Sequence, residues 1–224
     1  MSFRLYLKYY LVHQLGFTNK EASKAILSGK LVVNGQTITE NVEFDEHCET
    51  YYQNQLLKPR TAFTYIACYK PRGIETTFNP EIPDNLGTIF KFNEHLGYIG
   101  RLDKESEGLL LLTNDGKYIQ KLSNPLFEKE KEYLVTVDKV ITDEFMERMS
   151  RGVDIRISVT KPCVVEKLGD MEFKIILTEG KNRQIRRMCK VLGYYVQRLV
   201  RTRIDEIQIG NLQSGEFKLF TPTG

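Results

Sequence analysis

The chain has 224 residues, 41% of them hydrophobic and 27% charged, and 32 basic against 29 acidic side chains give a net charge of only +3. That balance excludes a disordered or fibrous protein and suits one domain with a small appendage, or two modest domains. No apolar run reaches the ~20 residues that span a bilayer, and Arg4 and Lys8 precede no signal-peptide core, so no membrane partner is expected and the cytoplasm is the expected location.

Leu5, Leu7, Leu11 and Leu15 suggest a first helix. Thr18-Asn19-Lys20-Glu21 has the form of a capping box, in which Thr18 satisfies a free amide and Glu21 reaches back. Ala22, Ala25 and Ile26 continue at helical spacing, and Gly29 is placed as a left-handed stop. Leu31-Val32-Val33, Asn34-Gly35 and Thr37-Ile38 read as a hairpin. The polar segment from Tyr51 to Pro59 reads as a linker, which sets a first domain of residues 1–57 before a second of 58–224. Residues 1–57 carry five basic and six acidic side chains. If this unit binds RNA, Lys20, Lys24 and Lys30 are its phosphate candidates; the alternative is a helix-hairpin unit that only packs or binds protein.

Beyond Ala62, Tyr65–Tyr69 and Leu109–Thr113 read as buried strands, the second closed by an Asn114-Asp115-Gly116 turn. Tyr118, Ile119 and Leu122 give a short helix ending before Pro125. Residues 132–137 and 172–178 alternate as strands do, with Phe145 and Met149 at helical spacing between them. Residues 184–192 form the clearest helix, with Ile185, Met188, Cys189 and Leu192 on one apolar stripe and Gly193 as its stop. This mixture lacks βαβ regularity and predicts an α+β fold on a largely antiparallel mixed sheet flanked by helices.

Residues 180–203 hold eight basic side chains and no acidic one. A charge run on a helix is ordinarily a solvated face of mixed sign. Here the missing counter-charges favour a phosphate backbone, with Arg186, Arg187 and Lys190 turned outward and Tyr194 and Tyr195 near enough to stack on bases. The four cysteines are scattered and form no CxxC pair, so they read as reduced packing groups. His13, His47 and His95 have no metal-ligand spacing, so no metal is expected.

Asp103 lies between Arg101 and Lys104, just before a core strand. Cationic neighbours keep such a group ionised, fit to act as nucleophile or base. Taken alone, an Asp beside Arg in a turn is more often a cap or a salt bridge. Asp103, Glu105 and Glu107 could also suggest Mg²⁺, but the flanking Arg and Lys argue against it.

The stretch Gly100-Arg-Leu-Asp-Lys-Glu-Ser-Glu-Gly-Leu-Leu-Leu-Leu-Thr-Asn-Asp-Gly116 closely resembles the signature of the RsuA/RluB/RluE/RluF group of pseudouridine synthases. Lys70-Pro-Arg-Gly73, Lys131-Glu-Tyr133 and Glu179-Gly-Lys-Asn-Arg-Gln-Ile-Arg-Arg-Met188 agree with it, and Phe17–Ala22 with Gly29–Gly35 resembles the S4 RNA-binding domain. Asn182–Arg187 and Arg201-Thr-Arg-Ile204 look most like the RluF branch, which modifies large-subunit (23S) rRNA.

The resemblance implies isomerisation of a uridine, a reaction in which no electrons or groups enter or leave, so no cofactor is called for. It implies Asp103 as the catalytic carboxylate, Tyr133 stacked under the flipped uracil and assisting its deprotonation, and Arg186 paired with Asp103. Arg101 would fill the vacated stack. RNA would be held by Lys104, Lys131, Lys181, Arg183, Gln184, Arg187 and Lys190, with Lys20, Lys24 and Lys30 of the S4-like unit. A monomer acting on rRNA is expected. The alternatives are the same chemistry on tRNA, or a non-catalytic RNA-binding or ribosome-assembly protein.

Overall fold

The structure, a computed structural model, describes residues 6–44, 48–59 and 62–222; Arg4, Leu5 and His47 lie outside them. The chain divides into two units, Met1–Phe63 and Thr64–Gly224.

In the first unit, α1 (Leu7–His13) and α2 (Asn19–Leu27) bury Leu7, Tyr10, Leu11, Ala22 and Ile26 with Leu31 and Phe44. The capping box forms as the sequence indicates. The Glu21 amide donates to Thr18 Oγ1 at 3.2 Å, and the Thr18 amide donates to Glu21 Oε2 at 2.8 Å. Strands β1 (Leu31–Val33) and β2 (Gln36–Ile38) flank the Asn34-Gly35 turn, where both residues have positive φ, as a tight hairpin turn of this type demands.

The expected linker at 51–59 is instead mostly a second hairpin. Strands β3 (Thr50–Tyr52) and β4 (Gln55–Lys58) are joined through Gln53 and Asn54, also at positive φ, and complete a sheet of order β2-β1-β3-β4. Leu56 and Gln55 on β4 are exposed, as edge-strand residues often are, and this polarity made the segment look like a connection.

The second unit is built on one mixed sheet. Its strands are β5 (Tyr65–Lys70), β6 (Gly97–Ile99), β7 (Glu107–Thr113), β8 (Lys131–Val137), β9 (Val164–Lys167), β10 (Glu172–Leu177), β11 (Val196–Ile204), β12 (Ile207–Gln208) and β13 (Phe217–Leu219). The order is β13-β5-β7-β11-β8-β10-β9, with β6 on β7 and β12 on β11; β7 and β11 run parallel and the other pairs antiparallel. Helices α3 (Leu86–Ile89), α4 (Gly116–Ser123), α5 (Asp143–Ser150) and α6 (Gln184–Val191) complete it.

The unbroken Leu109–Leu112 run follows from burial on both faces of β7. Leu110 and Leu112 pack with Ile66, Cys68 and Leu86, whereas Leu109 and Leu111 pack with Ala67, Ile99 and Ile204. The Asn114–Gly116 turn doubles as a helix start, because the Asp115 carboxylate accepts from the amides of Lys117 and Tyr118. α5 and α6 cover the other half of the sheet through Phe145, Met149, Ile185, Met188 and Cys189.

Among the strands that the sequence reading missed, the central one is β11, nine residues that lie almost wholly in the basic stretch. Its backbone passes so close to β7 that a Cβ on Gly108 would sit 2.3 Å from the Arg201 carbonyl oxygen. Gly108, at φ +105, is therefore the residue that lets the two strands pair. Among the described residues no helix is long and apolar enough to cross a membrane.

Candidate active site

Where β7, β8 and β11 lie side by side, the second unit opens a cavity of about 340 Å³, within the range of small-ligand sites. Its floor is a sheet face. Tyr133 of β8 is opposite Arg201 of β11 in the antiparallel register, and directly opposed residues point the same way. Alternation along each strand then brings Lys131 and Leu199 to that face. The walls are the loop before β7, with Arg101 and Asp103, the loop before α6, with Lys181 and Arg183, and the end of α4 with Pro125.

The loop that carries Asp103 is clamped by its backbone. Thr76 Oγ1 donates to the Leu102 carbonyl at 2.7 Å and accepts from its amide at 3.2 Å. Gly73 donates to the Lys104 carbonyl at 2.7 Å, and Ser106 to that of Asp103 at 3.0 Å. The Asp103 side chain is half-buried and lines the cavity. Among the described residues its carboxylate takes part in no ion pair, which leaves it open to a substrate.

The expected pairing of Arg186 with Asp103 does not form. The Arg186 guanidinium donates instead to the Glu105 carbonyl at 3.0 Å, the Ser106 hydroxyl at 3.3 Å and the Val196 carbonyl at 3.2 Å. It thus ties α6 to the two residues that follow closely on Asp103, and its charge is felt by that carboxylate at longer range: burial lowers the Arg186 pKa most, while Glu105 and Asp103 act against it.

Counter-charges absent from residues 180–203 arrive from elsewhere in the fold. Arg183 pairs with Glu105 at 2.7 Å, Lys181 with Glu179 at 3.1 Å, Arg198 with Glu107 at 2.7 Å and Arg203 with Glu130 at 2.9 Å. What remains for solvent on α6 is Lys190, with no ion pair among the described residues, and Arg187, whose Nη2 donates to Asn182 Oδ1 at 3.2 Å. Tyr195 is exposed, but Tyr194 is core, its ring centroid 4.2 Å from that of Phe145 in a tilted pair and its hydroxyl donating to the Val140 carbonyl.

The other expected contacts divide by position. Gln184 lines the cavity yet is buried and braces its own loop, accepting from the Lys181 amide at 2.9 Å and donating to Glu179 at 2.7 Å. Lys104 lies outside the cavity lining and pairs with Asp84 at 2.9 Å. Lys131 lines the cavity and donates to the Lys129 carbonyl at 2.9 Å; burial, then the Arg201 charge, lowers its pKa. Lys20, Lys24 and Lys30 are exposed in the first unit.

Two buried cations escaped the sequence reading. Arg201 is 1% exposed and lines the cavity; its Nε donates to the Leu109 carbonyl at 2.7 Å. Lys70 is wholly buried, donates to the carbonyls of Pro71 and Ile74, and is pushed down to about 8 by burial and then by Arg201. The signal for Arg201 was its two-residue spacing from Leu199, inward on a strand, inside a run read for its charge and its resemblance but not for strand alternation. Among the described residues no group of three or more His, Cys, Asp or Glu is placed to hold a metal.

A profile of the family described as RNA pseudouridylate synthase matches residues 64–190. The chain is 40% identical over 206 residues to the "Dual-specificity RNA pseudouridine synthase RluF" of Escherichia coli (strain K12), covering 91% of this chain and 71% of that protein. It is 31% identical over 216 residues to the "Ribosomal large subunit pseudouridine synthase B" of Bacillus subtilis (strain 168), covering 92% and 87%. A crystal structure of a pseudouridylate synthase superposes with a TM-score of 0.69 at 29% identity, covering 97% of this chain and 96% of that one.

Proposed function

We propose, for a chain that belongs to the RNA pseudouridylate synthase family, that it isomerises a specific uridine of large-subunit (23S) rRNA, with Asp103 as the catalytic carboxylate. The observation that carries the assignment of Asp103 is its position: a carboxylate with no ion pair among the described residues, on a clamped loop, facing a cavity lined by cations. The names of the Escherichia coli and Bacillus subtilis relatives support the RNA class.

The reaction breaks the N1–C1′ bond, turns the base and rejoins it through C5. In this reading the Asp103 carboxylate attacks C1′ or takes a proton from C2′. Flipping the uridine out costs a few kcal/mol, which phosphate contacts offset. Tyr133, on the cavity floor, stacks on the flipped base and assists its final deprotonation, and Arg101, exposed at the rim, fills the vacated stack. Arg186 orients Asp103 indirectly, by fixing Glu105 and Ser106. Arg183, Lys181 and Lys131 hold phosphates at the cavity. Arg187, Lys190 and Lys104 extend that surface outside it; Gln184 contributes by shaping the loop. The first unit acts as an S4-like RNA-binding domain through Lys20, Lys24 and Lys30. The reading includes a cytoplasmic monomer that needs no cofactor, because an isomerisation takes up and releases nothing.

The words "dual-specificity" in the relative's name favour a second reading, in which the same site also converts a tRNA uridine. Chemical mapping of pseudouridine in rRNA and tRNA from cells with and without this protein tests both. Loss of one large-subunit rRNA site is the expected result, and loss of a tRNA site as well establishes the second reading. No lost site anywhere means a non-catalytic RNA-binding protein.

A further inference from the structure

Among the described residues Arg201 has no counter-ion of its own: its guanidinium meets no carboxylate, its Nη1 is a marginal 3.5 Å from the Arg101 carbonyl, and its Nη2 has no hydrogen-bond partner. Burying an unpaired cation costs several kcal/mol, so a fold that retains one needs a compensating use for it. The charges around the cavity point to that use. Three lining cations carry no ion pair among the described residues, Arg101, Lys131 and Arg201, against one such carboxylate, Asp103; Glu179 is already paired with Lys181. The sheet floor is therefore positive beyond what Asp103 can balance.

We infer that the buried guanidinium of Arg201 sets a positive field under the cavity floor that stabilises the uracil anion released when the N1–C1′ bond breaks. This deepens the proposed function and rests on it. When that bond breaks heterolytically, its electron pair stays with the base, giving an anion spread over N1, O2 and O4. The sugar's deficit is met either by a new bond from an Asp103 oxygen to C1′ or by loss of the C2′ proton to that oxygen, and the anion is the same by both routes. Later C5 returns the pair to C1′, as the Asp103–C1′ bond breaks or as Asp103 gives the proton back to C2′; the C5 proton is then lost and N1 gains one.

A charge fixed in place before the reaction, in a site with little water, lowers the energy of such an anion without reorganising. The geometry suits this task. Arg201 is directly opposite Tyr133, on which the flipped base is proposed to stack, and Gly108 holds β11 in place from the other side. A guanidinium is the cation better suited to burial: the buried ammonium of Lys70, which feels the Arg201 charge, falls to about 8. Arg201 acts from beneath the floor as a positioning residue for charge, not as a group in contact with substrate.

The test uses the full chain under single-turnover conditions at about pH 6.5, where a lysine like Lys70 is charged. Short transcripts spanning the mapped nucleotide carry uridine or 5-fluorouridine there, and loss of the N-glycoside is followed by nucleoside chromatography, because a base with fluorine at C5 has no proton to lose there and does not go on to an aromatic C-glycoside. Fluorine makes the base a better anion and so relieves the need for the field. Arg201→Met is expected to slow the uridine substrate ~100-fold, the usual cost of one preorganised donor, and the fluorinated one at least ~10-fold less. Arg201→Lys, which keeps the charge, stays within roughly tenfold of the parent. Lys131→Met shows the same relief by fluorine on a smaller loss.

Equal losses on both substrates overturn the inference. So does an Arg201→Lys as impaired as Arg201→Met, because the guanidinium is then only a brace for the Leu109 and Arg101 carbonyls. If Arg201→Met does not fold, Lys131→Met decides, and a loss there that fluorine does not relieve overturns it. A parent protein that converts neither transcript removes the proposed function itself; a parent that converts uridine beside variants that match it removes only the role of Arg201.

Discussion

Asp103 stands in sequence between Arg101 and Lys104, and in the folded chain it pairs with neither: Arg101 turns to the cavity rim and Lys104 turns to Asp84. The local charge pattern that drew attention to the residue is thus not what holds it. Backbone clamps from Thr76 and Gly73, and the Arg186 anchor on Ser106, do that. Because those clamps grip main chain or neighbouring side chains, exchanging the carboxylate for its amide leaves them in place. Asp103→Asn is accordingly expected to melt within a few degrees of the parent and to bind RNA almost as well, while its single-turnover rate falls by ~10³-fold or more, as when a central catalytic group is removed. Substantial remaining turnover would show that another group does the chemistry. At this scale the motif made the residue types legible, but not their pairings. The Glu105 carbonyl and Ser106 hydroxyl that hold Arg186 belong to a loop some eighty positions away, and nothing in the spacing reports which oxygen a guanidinium reaches.

At the scale of elements, helices with apolar periodicity were read well and the central strand was not. α6 buries Ile185, Met188 and Cys189 as its stripe requires, and α2 has the cap that Thr18 and Glu21 announce. β11 breaks the usual strand signal because it carries Arg198, Arg201 and Arg203 among its apolar residues. Their partners, Glu107 and the Leu109 carbonyl on β7 and Glu130 just before β8, come from the neighbouring strands or their ends. The same pairings redefine the basic surface: half of the eight cations are already neutralised, and the face of α6 that remains for phosphate is narrow. Replacing Arg187 and Lys190 together by Ala is expected to lower the slope of log affinity against log salt by roughly one per lost phosphate contact. Replacing Arg198, paired with Glu107, should leave the slope nearly unchanged. Titrations at several salt concentrations check both, and an unchanged slope for the double variant would mean that this face is only solvated.

Across the whole molecule, the chain folds as two units with separate cores, and the cavity belongs wholly to the second. The burial that builds its core also makes stability depend on pH. Burial pushes the Cys68 and Cys189 thiols up to about 12 and that of Cys163 up to about 11, from an ordinary 9.0. A raised thiol stays protonated in the folded chain while its unfolded counterpart ionises, so its contribution is complete below about pH 9 and is lost as pH climbs toward the folded value. Lys70 works in the opposite sense: lowered to about 8 from 10.5, it makes the folded state gain on the unfolded one between those two values. A comparison of parent and variant isolates one thiol, because Lys70 and the other cysteines cancel. Cys189→Ala leaves a small cavity, a loss that does not vary with pH, and removes one ionisation. The stability gap between parent and Cys189→Ala, taken from urea unfolding, is therefore expected to hold constant up to about pH 9 and then to narrow by about 1.4 kcal/mol per pH unit as the parent alone keeps a neutral thiol against an ionised unfolded one. A gap that stays constant to pH 11 would show that Cys189 titrates in the folded chain as it does in the unfolded one, and that the core under α6 admits water.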